Sequence, residues 1–324
     1  MPTNGRAAYA GSRNTLGGNT VIASWAWIPI TIWAAFCQTT RTALQKQLKG
    51  RLSTNGASVT RFVYGLPLAF AYLAATSLFS GRAVPLPNAA FLGWVLFGGI
   101  AQILATNLLI LALTMRNFMV GSAYAKTESI QAAIFGMVLL GEPVSTGGVV
   151  AIIIGTIGVL LISLKGSSSP LRAFLLGWSE KSSLIGIASG ALFAAAAVGF
   201  RGASLSLGEE LLPLAAATTL CWAVSVQTLL MLAYLVLREP GELRKVAQAW
   251  RPGLLVGITS SAGSAGWFTA MALQVVAYVR MLGLVEMAFT FLVSYLIFHE
   301  RPARSEIAGV LLLIGGILLG LALR

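Results

Sequence analysis

Lys126 and Glu128 stand inside the apolar stretch AYAKTESIQAAIFGMVLLGEPVS, and Glu286 stands inside a second one, VEMAFTFLVSYLIFHERP. A charged side chain at the centre of a lipid-crossing helix costs about 2.5 to 3.5 kcal/mol on insertion scales, so such groups face a cavity or a partner. A carboxylate held there can meet an amine, and because burial disfavours its charged form it can also exchange a proton. Tyr124, Glu128, Gln131 and Phe135 recur at i, i+4, i+7 and i+11, the spacing of one helix face, and make the best candidate cavity wall. Lys126 is two positions from Glu128 and points to another side, so its ion-pair partner must come from a different helix. Glu128 lies about ten residues into its stretch, roughly 15 Å deep at 1.5 Å per residue and therefore near a bilayer midplane. The structural alternative for Glu128 and Glu286 is a bond to backbone or arginine that locks helix packing.

Other polar side chains interrupt the apolar stretches. Gln38, Arg41 and Gln45 are spaced i, i+3 and i+7 as a polar stripe, and Arg61 with Tyr64 makes a shorter one. Arg41, Arg61 and Arg201 can pair with a glutamate or receive a carboxylate or phosphate bidentately. All three lie near stretch ends, where arginines also snorkel to headgroups. Gln102, Thr106 and Asn107 form one further group, and Ser260, Ser264 and Trp267 another. Small residues at that density more often permit close helix packing than bind ligand, so Asn107 and Trp267 are the members retained as site candidates. Trp222 and Gln227 are weaker candidates, since tryptophan in a span is more often packing or an interface anchor.

The elements that position these groups follow from composition. The 324 residues are 57% hydrophobic and 10% charged with a mean hydropathy of +0.83, outside the range of soluble globular domains. Ten stretches are long enough to cross the roughly 30 Å hydrocarbon layer: 22–45, 58–80, 89–113, 118–140, 145–164, 183–204, 211–237, 252–275, 278–299 and 304–322. Their uniform apolarity excludes a barrel, whose strands alternate over about ten residues. The fold class expected is an all-α integral membrane protein of ten transmembrane helices. The net charge of +12 is dispersed over short loops with no basic domain to hold a duplex, so it reads as membrane topology and not nucleic-acid binding. Cys37 and Cys221 both lie in apolar stretches, which argues against a disulfide framework. With His299 the single histidine, no metal site or other cofactor is expected. The sequence AAFC faintly resembles a lipoprotein cleavage site, but Phe36 is too bulky beside the cysteine, and residues 1–21 read as a flexible tail.

Sliding the chain along itself by 158 to 162 residues aligns Arg41 with Arg201, Asn107 with Trp267, Glu128 with Glu286 and Glu142 with Glu300. Five helices per copy is an odd number, so the second copy enters the membrane in the opposite sense. The expected organisation is a first repeat over 22–164, a polar linker over 165–182 and a second, inverted repeat over 183–324. Inverted repeats are a mark of secondary transporters, with the solute near mid-membrane between them.

The hairpins LLGEPVSTGGVVAIIIGTIGVLLI and FHERPARSEIAGVLLLIGGILLG, together with Arg61, resemble the EamA-like branch of the drug/metabolite transporter superfamily. In the second hairpin His299 replaces the expected glycine and Arg301 precedes Pro302 as an extra residue. Glu142 and Glu300, each ending a helix beside a proline, are expected to brace their turns. The resemblance covers about 22–322 and implies a carrier in a lipid bilayer, not an enzyme. It leaves the substrate open among amino acids, amines, drugs, nucleotide sugars and phosphorylated metabolites.

The resulting expectation is efflux by alternating access of a small polar or amphipathic metabolite, first an amino acid or amine, with protons as the candidate coupling ion. A bacterial inner membrane is the expected location. A lipid or lipid-linked sugar flippase and a nucleotide-sugar exchanger are the alternatives. Lys46, Lys49, Arg51, Arg244 and Lys245 enrich one loop face in positive charge and by the positive-inside rule place both termini outside, whereas relatives commonly have them in the cytoplasm.

Overall fold

The computed structural model describes residues 25–48, 51–113, 123–163, 178, 180–296, 299 and 303–324. The tail over 1–21, most of the linker, the start of the 118–140 stretch and Glu300 lie outside the described residues. The described residues form helices α1 (Trp27–Leu48), α2 (Thr54–Val63), α3 (Leu66–Ser80), α4 (Ala89–Leu113), α5 (Glu128–Leu140), α6 (Thr146–Ser163) and α7 (Lys181–Ser206). They continue with α8 (Leu212–Arg238), α9 (Pro240–Gln248), α10 (Trp250–Leu273), α11 (Val276–Gly283), α12 (Val285–Leu296) and α13 (Arg304–Ala322).

Six segments among the described residues are long and apolar enough to cross a membrane: Thr54–Ser80, Ala89–Leu109, α6, α7, α8 and α13. The exterior is correspondingly apolar. Phe79 is 93% exposed and Leu237 is 78% exposed, as expected of side chains that lipid covers. Cys37 and Cys221 are buried and free.

Three stretches read from the sequence as continuous helices are broken: 58–80 at Tyr64 and Gly65, and the two stretches that carry Glu128 and Glu286. The break before Glu128 takes Tyr124 off the helix face that Glu128, Gln131 and Phe135 still share on α5. The chain turns at Lys126 and Thr127 before α5 begins at Glu128, and Leu284 separates α11 from α12. The bonds at these two breaks span three residues instead of four: Ile130 N–H donates to Thr127 O at 3.0 Å and Met287 N–H to Leu284 O at 2.9 Å. At the break before Glu128 the Thr127 hydroxyl also donates to Tyr124 O at 2.6 Å. Each of the two leaves a glutamate in the first turn of the helix that follows, Glu128 on α5 and Glu286 on α12. The positive end of a helix dipole favours an anion at that position. The amphipathic helix α9, between α8 and α10, is an element that the apolar stretches did not announce.

α7 lies along α4, α13 along α6 and α10 along α1. The α6–α13 contact is backbone on backbone, because a Cβ added to Gly158 would stand 2.6 Å from Gly309 O, and one added to Gly309 would stand 2.7 Å from Gly158 O. Ridges of larger residues cannot approach this closely.

The two hairpins differ where the sequence differs. Gly141 takes φ 67° after α5, and His299 takes φ 52° in the corresponding position after α12. A β-carbon in that left-handed region costs roughly 1–2 kcal/mol. His299→Gly is therefore expected to raise stability by about 0.5–1 kcal/mol, net of the greater unfolded-state freedom of glycine. A detergent thermal melt checks this; an unchanged or lowered midpoint would mean that the histidine side chain stabilises the turn.

Candidate functional site

The broken helices bring four charges together. The Lys126 ammonium pairs with the Glu286 carboxylate, whose second oxygen accepts from Gln38 Nε2 at 2.6 Å. Arg280, in the last turn of α11, places Nε 3.1 Å from Glu128 Oε1, although the two are not aligned as a hydrogen bond. Two positive and two negative side chains thus balance one another. Arg280 also lies 5.1 Å above the ring of Trp267, whose buried indole N–H has no hydrogen-bond partner among the described residues. Gly283 lets that ring close against α11, since a Cβ there would collide with it.

The other sequence candidates are distributed around this cluster. Tyr124 is buried ahead of the break before Glu128. Gln131 donates to Thr127 Oγ1 at 3.1 Å and to Ile187 O of α7 at 3.4 Å. Arg41 lies within electrostatic reach of Glu286, and Arg61 within reach of Arg41. Tyr64 packs on Gly253 and Gly257 and donates to Val246 O at 2.8 Å, which ties the end of α2 to α9 and α10. Asn107 is exposed on an outer groove of about 230 Å³ that it shares with Asn55, Leu230 and Tyr234.

Arg201 is committed elsewhere. It pairs with Glu142 and donates to the carbonyls of Met271, Ala272 and Gln274, closing the end of α10. Glu142 is thus tied through Arg201 to α7 and the end of α10, and not only to the turn it was expected to brace.

A second polar region is a small chamber, whose lining includes Phe268, the neighbour in sequence of Trp267. Arg61, Gln102, Gln227, Ser260, Ser261 and Ser264 supply the polar lining. Gln227 Nε2 donates to Gln102 Oε1 at 2.7 Å, and the Ser261 hydroxyl donates to Gly65 O at 2.8 Å. Its free volume is about 10 Å³, room for one water, so the helices are closed on it in this conformation. Sequence reasoning sets aside Gln102, Ser260 and Ser264 in favour of Asn107 and Trp267 and keeps Gln227 as a weaker candidate. It also missed Arg280, although a guanidinium six residues before Glu286 in an apolar stretch was a readable signal.

Further contacts tie early segments of the chain to late ones. Ser53 N–H donates to Glu242 Oε2 at 2.8 Å, and Asn55 Nδ2 donates to Glu239 Oε1 at 2.7 Å. The Lys245 ammonium and the Ser53 amide hold the Glu242 carboxyl below its ordinary range. Elsewhere the Ser145 hydroxyl donates to Leu323 O at 2.6 Å and Arg82 pairs with Glu209 at 2.6 Å.

A model of the EamA-like transporter family matches residues 25–164 and again 184–321. No curated protein matches the chain. Among 29 matching chains of solved structures is one with a TM-score of 0.63 and 17% identity, covering 93% of this chain and 99% of its own. At that identity the likeness is one of fold.

Proposed function

Since the chain belongs to the EamA-like transporter family of the drug/metabolite transporter superfamily, and so is a multi-pass membrane protein of a transporter family, we propose that it is a secondary transporter working by alternating access. The solute site is the closed chamber together with the cluster of Lys126, Glu128, Arg280 and Glu286. The observation that carries this reading is the crossed pairing at the helix breaks before α5 and α12. Lys126 and Glu128 from the early part of the chain pair with Glu286 and Arg280 from the late part. Broken helices that meet charged groups in mid-membrane are a recurring design of secondary transporters.

Ten spans arranged as two inverted repeats, 22–164 and 183–324 with the linker 165–182, belong to this proposal. The packing supports them. Exchanging the halves carries the α4–α7 contact onto the α10–α1 contact and the α6–α13 contact onto itself. On this topology the Ser53–Glu242 contacts and the Arg201–Glu142 pair belong to opposite membrane faces. These are the contacts that must alternately open.

Glu128 is the proposed proton carrier, because its Oε1 lies beside Arg280 without a hydrogen bond and its protonation would release that pair. Amino acids are the first solute class, moved outward across a bacterial inner membrane. Counterflow of labelled amino acids in proteoliposomes, with and without a pH gradient, tests the proposal. Saturable exchange is expected, and a gradient effect lost in Glu128→Gln would support proton coupling.

A further inference from the structure

Of Arg41, Arg61, Arg201 and Arg280, two guanidinium groups are left without an acid among the described residues. Lys126 is taken by Glu286, Arg280 by Glu128 and Arg201 by Glu142. Arg41 and Arg61 have no ion pair and no hydrogen bond to any described residue, and the Nε of each is buried without a partner. The nearest acid to act on Arg41 is Glu286, whose two oxygens already serve Lys126 and Gln38. Arg61 has the ring of Phe62 at 4.7 Å from its Cζ, which covers a face and leaves the donor edge unmatched. Two positive charges on half-buried side chains within apolar stretches, each with a buried and unpartnered Nε, are costly and mark a place where an anion is neutralised.

The chamber around Arg61 matches that requirement. Beyond the guanidinium it offers amides and hydroxyls and, among the described residues, no acidic side chain in its lining. Opposite the polar groups it is walled by Phe62, Leu220, Val224 and Phe268. Anionic and apolar demands therefore meet in one space.

Resting on the proposed carrier function, we propose that Arg61 and Arg41 form an anion subsite. The transported solute is an amphipathic organic anion whose carboxylate or phosphate is received by Arg61, with Arg41 supplying the second charge, and whose apolar body lies against Phe62 and Phe268. This favours solutes bearing an acid group, amino acids included, over simple amines. A guanidinium binds either oxyanion through paired N–H donors.

The test is thermal stabilisation of the purified full chain in detergent by three matched probes, phenylacetate, phenethylamine and inorganic phosphate. Phenylacetate is expected to raise the melting midpoint while phenethylamine does not. Phosphate acting as well as phenylacetate would assign the subsite to a bare oxyanion and remove the apolar half of the proposal. In Arg61→Gln and Arg41→Gln the phenylacetate shift is expected to vanish, and Arg61→Lys is expected to keep part of it. A second reading guards against variants that merely misfold: without probe, Arg61→Met is expected to melt at or above the wild-type temperature, since it removes an unmatched charge. A shift by phenethylamine alone, an unchanged shift in both glutamine variants, or no shift by either anion would overturn the subsite. Because binding in detergent requires no flux, those results strike the subsite alone, whereas absent counterflow with intact binding strikes the carrier function.

Discussion

Glu286→Ala is expected to destabilise the protein by about 2–3 kcal/mol, and adding Lys126→Ala is expected to return it to within about 1 kcal/mol of wild type. Removing one partner of a buried pair strands the other, and that desolvated charge carries most of the penalty. The Lys126 side chain is 29% exposed and that of Glu286 15%, so the effect falls below the 3–5 kcal/mol of a fully enclosed pair. Gln38 would also lose its acceptor in Glu286→Ala, which makes this variant worse than Lys126→Ala. Thermal melts of the four members of the cycle in one detergent measure the coupling. A coupling under about 0.5 kcal/mol would show that the pair does not hold the two broken helices together.

Gly158→Leu is expected to prevent accumulation of folded protein or to cost at least about 3 kcal/mol. Its Cβ would stand 2.6 Å from Gly309 O and 2.6 Å from Leu313 N, backbone atoms that cannot rotate away. Gly315→Leu is the control on the same helix pair, since a Cβ there meets nothing within 4 Å and faces outward. Size-exclusion profiles of the two variants should separate cleanly. Equal behaviour would mean that α6 and α13 can part without loss of the fold.

Much of the architecture was legible because membrane burial writes itself in composition. Six of the ten stretches correspond to segments apolar enough to cross on their own, and the glycines of α6 and α13 gave notice of their close contact. The helix breaks were not legible. Lys126 and Thr127 have ordinary helix tendencies, and the turn there depends on three-residue bonds and on the Thr127 hydroxyl reaching Tyr124 O. Reading the stretch as continuous puts Tyr124 on one face with Glu128, whereas the break leaves only Gln131 and Phe135 on the helix of Glu128.

The partner of Lys126 was legible only as a constraint. A two-residue offset demanded another helix, and α12 supplied Glu286. Arg201 has the same residue type as Arg41 and aligns with it in the repeat, yet one is bound to Glu142 and three carbonyls while the other is unmatched. Spacing cannot reveal such an asymmetry, because it is made by the end of α10 and not by the helix that carries the arginine.

The most direct measurement is counterflow of a labelled amino acid panel into proteoliposomes preloaded with the unlabelled compound, comparing wild type with Glu128→Gln across an imposed pH gradient. Saturable exchange by wild type, stimulated by the gradient and stripped of that stimulation in Glu128→Gln, is the expected result. Flux that rises linearly with solute and shows no exchange, or exchange with the same pH response in both proteins, would contradict a carrier whose central carboxylate couples solute to protons.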